Sequence, residues 1–155
     1  MHIEETNPRL EYFKNNPELA FREVPAGVTR WLDGRLKEVG PGHMAAEFVV
    51  REDMTNPMQV LHGGVAAMIM DEMMGIMVYL LGHEFAHTSV NLNCDFLSPA
   101  PVGARLVAAS RVVRKGRNVV HCECVITGQQ GKIIAKSASN LILTPIATPA
   151  GPGTK

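Results

Sequence analysis

The sequence predicts an α+β fold in which an antiparallel β-sheet wraps around one long central α-helix. The segment Gly63 to Leu81 is apolar on nearly every helical face, which is typical of a helix that is covered on all sides. Four strand-length segments follow it, and the loops between them are rich in turn-forming residues. Strands joined by short loops pair antiparallel, and their sheet needs the helix to cover one face.

The remaining elements follow from local signals. Asn7 and Pro8 are typical of the N-cap and first residue of a helix, which is predicted over residues 8–15. The long helix is predicted to end near Gly82. Strands are predicted over residues 31–39, 43–50, 88–96, 104–114, 118–127 and 132–143.

The predicted organisation is one domain with an extension at each end. The chain has 155 residues, 46% of them hydrophobic, which suffices for one buried core. Residues 1–29 are expected to form an N-terminal helix and loop extension, and residues 30–143 the main domain. Residues 144–155 are rich in Pro and Gly and are expected to form a frayed tail.

The charge pattern excludes several function classes. Lys+Arg and Asp+Glu both total 15, so the chain lacks the positive charge of a nucleic-acid-binding domain. The first 72 residues carry a net charge of −5 and the rest +5, so an anionic ligand is expected to contact the second half.

Asp71 and Glu72 oppose membrane insertion, and the N-terminus lacks a signal-peptide core. We therefore expect a cytoplasmic protein with no membrane and no nucleic-acid partner.

The cysteines do not indicate a cofactor. Cys94, Cys122 and Cys124 have no CxxC spacing, and three cysteines cannot all pair in disulfides. They are expected to be buried, reduced thiols, with a zinc or redox role as the alternative. No metal ion or other cofactor is predicted.

Asp71 is the first candidate for chemistry. It lies in the middle of the apolar helix, and no Lys or Arg within four residues offers it a helical ion pair. A partly buried carboxylate suits a general base or a nucleophile, whereas the alternative is a carboxylate at an exposed helix edge. Glu72 projects about 100° away around the helix axis and is expected to be the solvent-facing member of the pair.

The start of the long helix, His62-Gly63-Gly64, is the second candidate. Two glycines expose the first N–H groups of the helix, and the helix dipole adds positive potential there. This arrangement suits a polarised carbonyl oxygen. The alternative is that the glycines permit a tight turn and that His62 has a structural role.

Gly63 and Asp71 are too far apart to contact one reacting carbonyl within a single chain. Eight residues of helix separate them by about 12 Å, whereas reacting groups must approach within about 3.5 Å. If both act, they belong to different copies of the chain, as in a two-fold dimer with antiparallel central helices. Gly64, Ala67 and Gly75 lie on the same stripe as Asp71 and either permit close helix approach or fit the sheet.

Two segments resemble a known family. The run Asn56-Pro57-Met58-Gln59-Val60-Leu61-His62-Gly63-Gly64, followed by Asp71, resembles a signature of the hotdog-fold acyl-CoA thioesterases of the phenylacetic-acid-degradation type. Thr88-Ser89-Val90-Asn91-Leu92-Asn93, ending in Phe96-Leu97-Ser98-Pro99, is similar to the next signature. The resemblance covers roughly residues 30–143. It implies a hotdog fold, dimers with joined sheets that often form tetramers, and hydrolysis of an acyl-CoA to free acid and coenzyme A.

The resemblance also implies residue roles. Asp71 activates water or attacks the thioester, and the Gly63 N–H polarises the carbonyl, with His62 close by. Asn56 fixes the loop and the thioester region, and Ser89 orients water or Asp71. Asn56 and Gly63 act together with Asp71 and Ser89 of the partner subunit.

Two groups of side chains have less specific interpretations. Arg114, Lys115 and Arg117 straddle a predicted hairpin turn together with Arg111, and they either bind the phosphates of coenzyme A or form a solvated turn. Five methionines on the long helix either adapt to a variable acyl group or, more simply, fill the core. These are Met68, Met70, Met73, Met74 and Met77.

Two other functions stay open at this point. A non-catalytic acyl-CoA-binding module would keep the fold but would not need a carboxylate at Asp71. A hotdog hydratase or dehydratase would need a catalytic histidine near Asp71, and the Asp71 stripe contains none.

Overall fold

A computed structural model describes residues 1–154 and has the α+β architecture that the sequence predicts, with one long helix against a curved antiparallel sheet. The described elements in chain order are α1 (Pro8–Asn15), α2 (Gly27–Leu32), β1 (Arg35–Gly40), β2 (His43–Val49), α3 (Gly63–Tyr79), β3 (Phe85–Ser89), β4 (Asn93–Phe96), β5 (Arg105–Lys115), β6 (Val119–Thr127) and β7 (Ile133–Ala147). Short 3-10 turns cover Glu52–Met54 and Gln129–Gly131. Within this part of the chain, the helices are too short or too polar to cross a membrane.

The seven strands form one antiparallel sheet in the order β1-β2-β5-β6-β7-β3, and β4 also pairs with β7. Strand β7 has 15 residues, which is long enough to pair with β3 and β4 one after the other along the same edge. The register sets Ser89 opposite Leu141 and Phe96 opposite Ala135. Strand β3, which ends at Ser89, also packs against α3, and Phe96 at the end of β4 lies close to the start of the helix.

The core lies between α3 and the concave face of the sheet. Strands β5 and β6 alternate between buried residues, which face α3, and more exposed ones. Four of the five helix methionines are 0–1% exposed, namely Met70, Met73, Met74 and Met77. Burial of each side chain stabilises the fold by about 1.5–3 kcal/mol. These methionines fill the core, and only Met68 is half-buried.

The strand predicted over residues 31–39 is wrong at its start, because residues 27–32 form helix α2. Thr29 and Leu32, three residues apart, are both buried and fix the inner face of this turn of helix. The Arg51 guanidinium donates hydrogen bonds to the Trp31 and Leu32 carbonyls at 2.7 and 3.3 Å and so caps the end of the helix. Contacts from a distant residue therefore stabilise a helix in a segment with strand-like composition.

The single strand predicted over residues 88–96 is two strands, β3 and β4, with residues 90–92 between them. The Asn91 side-chain oxygen accepts the Asn140 backbone N–H at 2.8 Å. The Ser139 hydroxyl donates to the Asn91 carbonyl, also at 2.8 Å. These side-chain bonds replace the regular ladder, so the pairing breaks at Asn91.

The frayed tail predicted over residues 144–155 is also wrong over the described residues, because β7 continues to Ala147. The Thr148 N–H then donates to the Glu84 carbonyl, and the Tyr79 hydroxyl donates to the Pro152 carbonyl at 2.7 Å. Pro152 is buried. The C-terminal segment is thus attached to the end of α3, and Lys155 lies outside the described residues.

Candidate active site

A tight turn leads the chain into the N-terminus of α3. The Asn56 side-chain oxygen accepts the backbone N–H groups of Met58 and Val60 at 3.0 and 3.4 Å. Gln59 adopts the left-handed conformation that closes the turn, with φ 60°. Both hydrogen bonds use the Asn56 oxygen, its Nδ2 amino group has no acceptor among residues 1–154, and Asn56 lines the adjoining cleft.

His62 is the N-cap of α3. Its Nδ1 accepts the Gly64 N–H at 2.9 Å, and its carbonyl accepts the N–H groups of Val65 and Ala66. Between these bonded groups, the Gly63 N–H has no acceptor among residues 1–154. It is an unpaired donor at the positive end of a 17-residue helix.

Gly63 lines a cleft of about 400 Å³. Asn56 and Gly63 line one side of this cleft, and Phe96, Leu97 and Ile134 line the other. The atoms nearest to a Cβ built on Gly63 belong to the Phe96 ring, at 3.6 Å. Since Gly63 and Phe96 both line the cleft, the cleft begins at the helix N-terminus. Two N–H donors in a largely apolar cleft suit a carbonyl oxygen that gains negative charge.

Asp71 is half-buried in the middle of α3, and its Oδ1 accepts a hydrogen bond of 2.9 Å from the Ser89 hydroxyl. Cys94 on the neighbouring strand is also close to this carboxylate. Burial raises the pKa of the Cys94 thiol, and the negative charges of Asp71 and Asp95 raise it further. Cys94 is therefore a neutral neighbour of Asp71, and it is only partly buried, whereas the sequence predicts a buried thiol.

The five predicted site residues form two separate groups within one chain. Asn56, His62 and Gly63 lie together at the start of α3. Asp71 and Ser89 are hydrogen-bonded to each other about 12 Å further along the helix axis. One group contains N–H donors and the other a carboxylate.

The expectation that Glu72 faces solvent is wrong. Glu72 is half-buried, and the hydroxyl of the buried Thr29 donates a hydrogen bond to its carboxylate. Thr29 belongs to the N-terminal extension, for which the sequence offered no functional signal. The bond attaches that extension to the helix directly beside Asp71.

The basic hairpin lies at the opposite end of α3 from Gly63. Burial lowers the pKa of His83 and His87, which follow the helix C-terminus, and the nearby Lys115 charge lowers both further. Arg114 and Arg117 are exposed in this hairpin, whereas Arg111 pairs with Glu123 at 2.6 Å. Within one chain, the hairpin does not line the cleft at Gly63.

All three cysteines are free thiols, and Cys122 and Cys124 are buried, as predicted, whereas Cys94 is partly exposed. Burial raises the pKa of both Cys122 and Cys124 to about 12, so neither is a thiolate near neutral pH. Among residues 1–154, no three His, Cys, Asp or Glu side chains converge as metal ligands would.

Comparisons with known proteins agree with this geometry. The family model of the thioesterase superfamily matches residues 58–135, half of the chain, including the α3 N-terminus and Asp71. Human acyl-coenzyme A thioesterase 13 is 28% identical over 102 residues, which cover 65% of this chain and 73% of the human protein.

Two solved structures share the fold. The PaaI protein from the phenylacetic acid degradation operon of E. coli superposes with a TM-score of 0.77 at 19% identity, covering 90% of this chain and 98% of PaaI. A hypothetical thioesterase from Streptococcus pneumoniae, crystallised with coenzyme A, has a TM-score of 0.69 at 20% identity. This match covers 74% of the present chain and 91% of the other. The hotdog fold predicted from the sequence is thereby confirmed.

Proposed function

Since the chain belongs to the thioesterase superfamily, we propose that it hydrolyses acyl-CoA thioesters at an active site shared by two copies of the chain. It is a thioester hydrolase by family. The relatives include proteins named as acyl-coenzyme A thioesterases and a structure crystallised with coenzyme A. These names favour acyl-CoA as the substrate.

The observation that carries the proposal is the separation of the two half-sites. Gly63 provides an unpaired N–H at the start of α3, and Asp71 provides a carboxylate about 12 Å further along the helix axis. A thioester carbonyl needs both within about 3.5 Å. A two-fold axis between antiparallel α3 helices satisfies this requirement, because it brings Gly63 of one copy to Asp71 of the partner subunit.

The exposed face of α3 supports such a pairing. Gly64, Ala67 and Asp71 form a stripe that the sheet of the same chain does not fully cover. Small residues on this stripe allow a second helix to approach closely. Strand β3 also ends the sheet next to α3, and it offers a free edge that extends the sheet into a second copy.

In the proposed reaction, the thioester oxygen accepts the Gly63 N–H and the Asn56 amide N–H. Asp71 of the partner subunit takes a proton from water, and the resulting hydroxide attacks the carbonyl carbon. The tetrahedral oxyanion is stabilised by the same N–H donors. The C–S bond then breaks, and the thiolate of coenzyme A leaves with the electron pair. Ser89 holds the Asp71 carboxylate in position through its hydrogen bond.

A second route uses Asp71 as the nucleophile. Its carboxylate attacks the carbonyl, the thiolate leaves, and water hydrolyses the resulting mixed anhydride. A single turnover in ¹⁸O-water distinguishes the routes. Water that attacks the Asp71 carbonyl of the anhydride leaves ¹⁸O in the Asp71 carboxylate, and that result identifies the nucleophilic route, because the general-base route puts the label only in the acid product.

The basic hairpin is our proposed contact for the phosphates of coenzyme A. In a pair of antiparallel helices, the hairpin at the C-terminal end of one α3 approaches the N-terminal cleft of the other. Exposed Arg114 and Arg117 are then available to the nucleotide end of a substrate bound at Gly63.

The test is release of free thiol from a panel of acyl-CoAs. We expect wild-type protein to release coenzyme A and Asp71→Asn to release almost none. Tight acyl-CoA binding without thiol release would instead identify a binding module. Loss or gain of absorbance from an enoyl-CoA, without free thiol, would identify a hydratase or dehydratase.

A further inference from the structure

A second cavity, of about 390 Å³, lies on the face of α3 beside Asp71. Three separate segments build its walls. Residues 24–26 come from the loop before α2; Glu72, Gly75 and Tyr79 come from α3; and Ala150 comes from the C-terminal segment. Among residues 1–154, Glu72 and Tyr79 have the only polar side chains that line it. The cavity is therefore an apolar chamber assembled largely from residues outside the matched family region.

Hydrogen bonds within the chain hold the walls of the chamber in place. The Tyr79 hydroxyl donates to the Pro152 carbonyl at 2.7 Å, and the Thr29 hydroxyl donates to Glu72. Arg9 donates to the carbonyls of Tyr79 and His83 at 3.1 and 3.0 Å. An apolar ligand entering a chamber that is already formed loses little affinity to reorganisation of the protein.

Gly75 connects the chamber to the carboxylate. It lies one helical turn after Asp71, about 6 Å along the axis and on the same side of the helix. Glycine weakens a helix interior, so its presence there has a cost in stability. A Cβ built on Gly75 meets nothing within 4 Å, and the missing side chain therefore leaves open space.

Glu72 determines which ligands the chamber accepts. Its carboxylate has one hydrogen-bond donor, Thr29, and its side chain lines an otherwise apolar wall. A second carboxylate at the far end of an acyl group would lie close to this charge and would lose its own hydration. Uncharged apolar groups avoid both penalties.

We propose that this chamber is the acyl-binding subsite and that it selects uncharged, apolar acyl groups over short or carboxylate-bearing ones. This inference rests on the proposed function, since an acyl group whose carbonyl lies at Asp71 extends past Gly75 into the chamber. Each methylene that enters contributes about a fourfold gain in affinity or kcat/KM. The residues at the two ends of the chain are then specificity determinants.

The kinetic test uses butyryl-, octanoyl-, decanoyl-, phenylacetyl- and glutaryl-CoA. We expect kcat/KM to rise from butyryl to decanoyl and to be lowest for glutaryl. Gly75→Leu fills the chamber from the helix, and Ala150→Phe fills it from the C-terminal segment, where no helix is perturbed. Each should lower the decanoyl-to-butyryl ratio of kcat/KM at least about tenfold. Ala109→Phe, on the exposed outer face of β5, should leave the ratio unchanged.

A binding measurement separates this inference from the proposed function. S-ethyl-, S-butyl- and S-decyl-CoA are thioethers that no hydrolase cleaves, and calorimetry gives their affinities. A chain-length gain that disappears in both chamber variants supports the subsite even if wild-type protein hydrolyses no acyl-CoA. Hydrolysis with equal affinity for all three thioethers overturns the subsite and leaves the hydrolase proposal intact. If Gly75→Leu separates the dimer while Ala150→Phe leaves the ratio unchanged, Gly75 serves helix packing and the subsite is also overturned.

Discussion

The Ser89 hydroxyl donates a hydrogen bond of 2.9 Å to the Asp71 carboxylate and so links the end of β3 to the middle of the central helix. The bond leaves the second carboxylate oxygen of Asp71 available for water or substrate. It also fixes the orientation of a side chain that no basic residue within four positions on the helix neutralises.

Asp71→Asn should lower kcat about 10²–10⁴-fold, the range of a lost general base. The amide keeps the size of the side chain and can still accept the Ser89 hydrogen bond, so the melting temperature should change little. Ser89→Ala should cause a smaller loss of kcat. Asp95→Asn, on the neighbouring strand, is the matched control and should keep full activity. Turnover of Asp71→Asn at the wild-type rate would exclude Asp71 from the mechanism.

Gly63→Pro should remove one of the two proposed donors to the carbonyl oxygen without unfolding the helix. Proline removes the N–H and is favoured at the first helical position. The preceding His62 already has φ −64° and ψ 134°, the conformation that precedes proline. We expect kcat to fall about 10²–10³-fold, as for other lost oxyanion donors.

Gly63→Ala is the control for that prediction, because alanine retains the N–H. Its Cβ would lie 3.6 Å from the Phe96 ring, an ordinary contact. Circular dichroism and thiol release should be measured for both variants. Equal activity of the proline and alanine variants would rule out the Gly63 N–H as the polarising group.

Mixing two inactive variants should restore activity if the site is shared. Asp71→Ala and Asn56→Ala chains form hybrid dimers that each contain one intact site, so free exchange restores about a quarter of the wild-type activity. Native mass spectrometry should verify the exchange. Hybrids that form but stay inactive would contradict a site built from two copies.

Charge reversal in the hairpin should weaken recognition of the nucleotide. Arg114→Glu combined with Arg117→Glu should raise KM for an acyl-CoA more than KM for the same acyl group on N-acetylcysteamine, which lacks phosphates. Lys14→Glu, on the exposed surface of α1, is a control for overall charge. An equal change in KM for both thioesters would mean that the phosphates bind elsewhere.

Stability should decrease on acidification because of His83. Burial lowers the pKa of His83, and the positive charges of Lys115, His87 and Arg9 lower it further against a small opposing effect of Glu4. A histidine with a lowered folded-state pKa binds fewer protons in the folded chain than in the unfolded one. Its contribution to stability is therefore lost as the pH falls through and below about 6.5.

His83→Phe should make the free energy of unfolding less dependent on pH between about 7 and 5. The His83 Nε2 is buried and has no hydrogen-bond partner among residues 1–154, so its replacement removes no bond at that atom. Denaturant unfolding across this pH range is the measurement, with His2→Gln as the exposed control. An unchanged slope for His83→Phe would assign the acid sensitivity to another group, such as His87.

Local signals in the sequence were sufficient to predict helix α1 and the central helix, which carries residues of the proposed site. The Asn7-Pro8 pair predicts α1 over residues 8–15, and the structure has that helix with those bounds. The apolar segment after Gly63 likewise predicts the long central helix. The eight-residue spacing of Gly63 and Asp71 predicts two half-sites, and the structure holds them apart as that spacing requires.

What the sequence could not reveal depends on long-range contacts. Helix α2 is capped by Arg51, about twenty residues further along the chain. The Thr29–Glu72 hydrogen bond joins residues 43 positions apart, and the Tyr79–Pro152 bond joins residues 73 apart. No local periodicity encodes such pairs, and all three involve the extensions or the loops that border them.

The donor at the entrance of α3 belongs to the peptide backbone. Nineteen of the twenty amino acids would supply the same N–H at position 63, so an alanine scan would not detect the role of this donor. The availability of this N–H depends on the conformation of the turn and not on the identity of a side chain. Any relative that keeps this turn would retain this half of the proposed active site, even where a comparison of side chains would find nothing in common.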